Sequence, residues 1–208
     1  MSLLDSSRHQ MMNTKPITLE GTHVRLEPLS LAHFDQLCEI GLDDELWKWT
    51  MTVMHTPEDM KTYIESALQW QANGTAFPFA IVEKTSGKAI GSTRCANIDK
   101  DNRRLEIGWT WIARKWQRTA VNTETKYLLL QHAFESLGCI RVEFKTDSLN
   151  QQSRNALIRI GAKEEGIFRN HMITPTGRKR HTVYYSIIDS EWTKVKTQLE
   201  QQLRRNLS

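Results

Sequence analysis

Between Leu105 and Gly138 the apolar residues change period, and that switch limits the folds open to the chain. Leu105, Ile107, Trp109 and Trp111 recur at every second position, as on one face of a strand. Val121, Tyr127, Leu130, Phe134 and Leu137 recur at helical spacing, with Gly138 placed to end the helix. Upstream, residues 77–83 and 89–97 read as two more strands, joined by Thr85-Ser86-Gly87-Lys88, and 99–102 as the next turn. Three strands in such close order form an antiparallel meander. A helix must then carry the chain across the sheet to the next strand, 141–146.

The flanks follow the same logic. Residues 24–29 read as a strand, and Ser30 is placed to cap a helix carrying Leu31, Phe34, Leu37, Cys38 and Ile40 on one face. Thr56-Pro57-Glu58-Asp59 starts a second helix, with a capping hydroxyl, a proline in the first turn and acids at the positive end of the dipole. Asn73-Gly74 stops it. Downstream, 150–160 reads as a helix ended by Gly161, 165–173 and 182–188 as strands joined by Pro175-Thr176-Gly177, and Ser190 as the opening of a last helix. The predicted architecture is α/β (α+β): a single mixed, mostly antiparallel sheet with helices on both faces.

Composition narrows the class. A chain of 208 residues suits one domain and a full core. With 39% hydrophobic and 25% charged residues, wholesale disorder is excluded. Cys38, Cys95 and Cys139 are too few and too scattered for a disulfide framework, and no Cys/His spacing suits a metal, so none is expected. No apolar run approaches the ~18 residues of a membrane span, so no membrane is expected. Residues 1–16 lack a signal peptide's apolar core and read as a loose leader; the expected compartment is a reducing cytoplasm. A net charge of +4 suits a phosphate-bearing ligand, an acidic partner or nucleic acid. No basic stripe or binding motif speaks for nucleic acid, and a homo-oligomer is left open.

The stretch 105–124, LEIGWTWIARKWQRTAVNTE, takes a strand through a basic loop straight into a helix. The leading amides of such a helix need partners, and an anion is a natural one beside Arg114, Lys115 and Arg118. A plain basic surface loop is the alternative. With VRLEPL, AIVEKTSGKAIGSTR, LEIGWTWI, QRTAVNTE and FKTDSLNQQSRNALIRIGAKEEG in this order, residues 17–192 resemble the GNAT superfamily of N-acetyltransferases. The RimJ/RimL-like ribosomal-protein branch is the nearest in pattern. Residues 193–208 are then the rest of the last helix and the tail.

That resemblance implies a GNAT fold, splayed between the fourth and fifth predicted strands, with acetyl-CoA as co-substrate and a primary amine as acceptor. It implies cofactor contacts at Trp111, Ile112, Ala113, Arg114, Gln117, Arg118, Thr119, Ala120, Val121, Asn122 and Thr123, with Asn150 and Ser153 along the pantetheine arm. The family's loop glycines are replaced here by Ala120 and Asn122, and the tyrosine many relatives use as a general acid by Leu157. Ser153 becomes the candidate proton donor to the leaving sulfur, with Tyr184 and Tyr185 in reserve. Glu106, out of phase with Leu105 and Ile107, becomes the candidate base. Plainer readings stand beside these: Asn150 as a helix cap, Glu106 as a solvated strand carboxylate, and Trp47, Trp49 and Trp70 as packing. Arg178 to His181 read as a solvated hairpin tip, Cys95 and Cys139 as core, and a bulge is expected near Gly108. A catalytically silent acyl-CoA sensor is the rival function.

Overall fold

The computed structural model describes residues 16–205. The rest of the predicted leader, 1–15, and residues 206–208 lie outside the described residues. In chain order the elements are β1 (Leu19–Glu20), β2 (Val24–Pro28), α1 (Phe34–Gly41), α2 (Pro57–Ala72), β3 (Ala76–Glu83), β4 (Ala89–Asp99), β5 (Arg104–Ile112), α3 (Ala120–Gln131), β6 (Arg141–Asp147), α4 (Gln151–Arg159), β7 (Lys163–Ile173), β8 (Lys179–Ile188) and α5 (Asp189–Arg205).

All eight strands join one sheet, ordered β1-β2-β3-β4-β5-β6-β8-β7. Each neighbouring pair is antiparallel except β5 and β6, which the α3 crossover makes parallel. The short β1 is the one strand the sequence pattern misses. The fourth and fifth predicted strands are β5 and β6.

Two cores flank the sheet. On one face Leu105, Ile107 and Phe144 pack with Val121, Leu129 and Leu130 of α3, Leu157 of α4 and Trp192 and Leu199 of α5. On the other face Ala80, Val82 and Trp111 pack with Leu37 of α1 and Met60, Tyr63 and Ile64 of α2. Helix α5 feeds Trp192, Val195 and Leu199 into the first core, so the division after Trp192 falls inside one packed helix.

Local chemistry fixes the elements. Thr56 accepts the Asp59 amide at 3.2 Å while Asp59 accepts the Thr56 amide at 2.9 Å, a closed capping box with Pro57 in the first turn. The helix expected through Leu137 holds α geometry to Gln131 and then widens into a π-turn, His132–Ser136. Gly138 ends it at φ +65°, where other residues pay a steric cost. Glu124 of α3 is buried, and its carboxylate accepts the amides of Thr22, His23 and Val24 at 2.7, 2.6 and 2.7 Å. That clamps α3 to the β1–β2 turn.

Candidate active site

The site grows from a fork in the sheet. Strands β5 and β6 pair only at Arg104↔Arg141, Leu105↔Val142 and Glu106↔Glu143. From Ile107 and Phe144 onward they part, and the facing edges have no strand partner among the described residues. The turn that follows β5 is linked across the open end to α4 through Gln117 and Gln152.

Strand β5 also changes phase. Ser92 pairs with Trp111 but Arg94 with Gly108, so Trp109 and Thr110 together oppose Thr93. Trp109 takes φ +50°, the left-handed backbone of a bulge, next to Gly108 as expected. The extra residue overturns one expectation. Leu105 and Ile107 face the α3 side, whereas Trp111 packs on Trp47 at 5.2 Å and Trp109 on Trp70 at 5.1 Å, on the α2 side.

Glu106 lies at the crotch of the fork and is 5% exposed, so the solvated reading fails. Its Oε2 pairs with Lys145 Nζ at 2.7 Å and accepts from Asn97 Nδ2 at 2.7 Å. Asn97 reaches it from a second bulge, at φ +50°. Gly108 keeps the other oxygen clear: a Cβ there would come within 3.2 Å of Oε1.

The turn into α3 is well tied. Arg114 pairs with Asp43 at 2.7 Å, and Lys115 lies 4.9 Å over the Trp116 ring. Arg118 takes φ +61°. Thr119 Oγ1 accepts the Val121 amide at 3.2 Å, so one of the leading amides expected to await an anion already has a partner. Gln117 Nε2 donates to the Ile112 carbonyl at 2.9 Å, and its Oε1 accepts from Gln152 of α4 at 3.0 Å. This clasp joins the two lips of the fork. Ile112, Ala113, Ala120, Val121 and Thr123 are buried, while Asn122 is half-buried. Asn150 does cap α4, accepting the Ser153 amide at 3.0 Å; the half-buried Ser153 hydroxyl makes no hydrogen bond among the described residues.

A family profile described as an acetyltransferase (GNAT) domain matches residues 23–163. The chain belongs to the GNAT family. It is an acyltransferase of the N-acetyltransferase kind, and the family's co-substrate is acetyl-CoA. A relative from Bacillus subtilis (strain 168), named "Putative ribosomal N-acetyltransferase YdaF", is 28% identical over 176 residues, covering 82% of this chain and 93% of its own. The crystal structure of a GCN5-related N-acetyltransferase from Brucella melitensis superposes with a TM-score of 0.85 at 31% identity, over 91% of this chain and 86% of that one. Mycobacterium smegmatis RimJ, solved with CoA-disulfide, shares the fold with a TM-score of 0.79 at 21% identity, over 91% and 96% of the two chains.

In this GNAT domain one lip of the fork carries Glu106, the β5 edge and the α3 turn, and the other leads from β6 to Asn150 and Ser153 at the start of α4, the two joined by the Gln117–Gln152 bond. These residues fit a long, amide-bearing thioester: bare strand edges offer backbone partners, and the turn is basic. Trp111 is different, because its ring is built into the α2-side core and only its backbone borders the turn. Cys95 and Cys139 are core, as expected, and burial pushes both thiols up to about 12. Of the tryptophans, Trp47 packs and donates to the Gly41 carbonyl at 2.6 Å. Trp70 instead faces Arg94, which is fully buried among Tyr63, Trp70 and Trp109 with guanidinium-to-ring distances of 4.4, 5.1 and 5.9 Å.

The solvated-tip expectation for Arg178 to His181 is overturned. Arg178 pairs with the buried Asp147 and lies 5.6 Å over Trp49, Arg180 is buried, and His181 Nδ1 accepts the Asn170 amide at 2.8 Å. Strand β8 begins at Lys179, earlier than the pattern indicates, because a buried carboxylate at the end of β6 draws these cations inward. Tyr185 is core and Tyr184 half-buried.

Proposed function

We propose that this chain acetylates a primary amine by direct attack in a ternary complex. The observation that carries it is the fork that opens at Glu106↔Glu143, with a carboxylate at its crotch. Acetyl-CoA, when bound, supplies an acyl group activated as a thioester. The chain's own residues do the rest. Arg114 and Gln117 to Thr123 grip the nucleotide end, the backbone of Trp111 to Ala113 leads into that turn, and Asn150 orients the arm. Glu106 Oε1, its partner oxygen already held by Lys145 and Asn97, takes the proton from the amine directly or through one water. A backbone N–H on the bare β5 edge polarises the acyl oxygen, worth ~3 kcal/mol for one donor. Ser153 donates to the sulfur, whose pKa of about 8.5 as a free thiol makes it a fair leaving group.

The acceptor is a protein N-terminus or a small-molecule amine. The name of the B. subtilis relative makes ribosomal-protein N-termini the first to try. Three free cysteines suit a reducing cytoplasm, and no described helix is long and apolar enough to cross a membrane. Calorimetry with acetyl-CoA, then thiol release over an amine panel, tests the reading; no binding at millimolar ligand rejects it. Glu106→Gln lowers the single-turnover rate by about a hundredfold. Ser153→Ala lowers it by about tenfold, the worth of one hydrogen bond. Unchanged rates in both mean that other groups do the chemistry. A silent acyl-CoA sensor is the second reading, favoured by the engaged Glu106 Oε2 and by Leu157 built into the core. Tight binding with no turnover of any amine selects it.

A further inference from the structure

Lys126 of α3 is buried, yet it pairs with no carboxylate among the described residues. Its Nζ donates to Thr110 Oγ1 at 2.7 Å, and Thr110 in turn shares a 2.7 Å hydrogen bond with Thr93. The same Nζ lies 5.9 Å from the centre of the Phe144 ring. Thr110 belongs to the bulge of β5 and Phe144 to β6 just past its last pairing with β5. The amine therefore sits between the strands where they have parted. An ammonium has three donors, and here the protein fills one. A buried cation with two unfilled donors is costly unless a ligand brings acceptors.

We infer that Lys126 is a ligand-binding residue whose ammonium donates to a carbonyl oxygen of the acyl-pantetheine arm entering the fork between β5 and β6. This rests on the acetyl-CoA reading above. A neutral carbonyl suits the place better than a phosphate, because the basic turn lies at the open end and Lys126 lies deeper, beside an aromatic ring. The arm carries two kinds of carbonyl, its amides and its thioester, and both present the same acceptor.

Lys126→Met keeps the length of the side chain and removes the donors. Isothermal titration with CoA and with acetyl-CoA separates the two sources. At least about tenfold weaker binding of both points to an arm amide, and the same loss for acetyl-CoA alone points to the thioester. Affinities within about twofold of the parent protein for both ligands overturn the inference and leave the acetyl-CoA reading standing. Absence of CoA and acetyl-CoA binding by the parent protein overturns both. A second measurement needs no variant. Burial lowers the amine to about 8, with the Cys95 thiol its one titratable influence, so Lys126 is recognisable by NMR of lysine-labelled protein. Saturating CoA or acetyl-CoA raises that midpoint by about one pH unit or more if a carbonyl accepts from it. A midpoint that stays or falls with both ligands overturns the inference.

Discussion

Three amides converge on the carboxylate of Glu124, which is 4% exposed. Glu124→Gln turns one acceptor into a donor facing donors, and the expected loss is roughly 2 kcal/mol or more in urea unfolding. Lys126 acts in the opposite direction. Its folded-state pKa of about 8 lies below that of an unfolded lysine, so the ligand-free protein binds fewer protons than the unfolded chain between those values. Stability from this group therefore rises as pH climbs from about 8 towards 10, a trend that Lys126→Met abolishes. Glu165, held down to about 2 by Arg141 and Ser186, has the usual carboxylate sign. Its contribution is present above the unfolded value of about 4.3 and lost as pH falls through about 2. Because Glu165 is 40% exposed, Glu165→Gln costs ~1 kcal/mol or less at pH 7. At this scale legibility depends on context within the chain. Glu106 stands out as a carboxylate inside an apolar alternation, and Asn150 as a cap before a helix. Lys126, Lys145 and Asn97 do not, since nothing local says which strand or carboxylate a long or polar side chain will meet.

At the scale of elements, the meander, the crossover and the capping box follow from period and turn chemistry, which are local. The phase of β5 does not, because a bulge adds one residue without changing composition, and Trp109 and Trp111 cross to the α2 side. The same holds for the hairpin of β7 and β8, whose cations are fixed by Asp147 on another strand. The strand next to the bulge is also tight. A Cβ on Gly91 would sit inside the contact shell of the Trp111 carbonyl oxygen and at 3.0 Å from the Ile112 Cα, both backbone atoms. Gly91→Ala therefore forces β4 and β5 apart, at a cost of roughly 2–4 kcal/mol by urea unfolding, with weaker acetyl-CoA binding because Ile112 leads into the α3 turn.

For the whole molecule, the sheet is two wings, β1 to β5 and β6 to β8, stitched by a three-residue seam and by helices packed across one face. Hydrogen exchange should show that construction directly: acetyl-CoA protects amides in 107–123 more than those in α1 and α2, and equal protection everywhere counts against a ligand in the fork. A chain ended at Trp192 loses Val195 and Leu199 from the core, and its expected penalty is ~4 kcal/mol or more, read as a lower melting temperature. The unzipped edges have a consequence for the life of the protein. They leave main-chain donors and acceptors open to the wrong guest, such as an unfolding neighbour's extended segment, as well as the right one. A thioester lying there would serve as a substitute rung, so abundance and resistance to clumping would track the supply of the metabolite as well as the rate of synthesis.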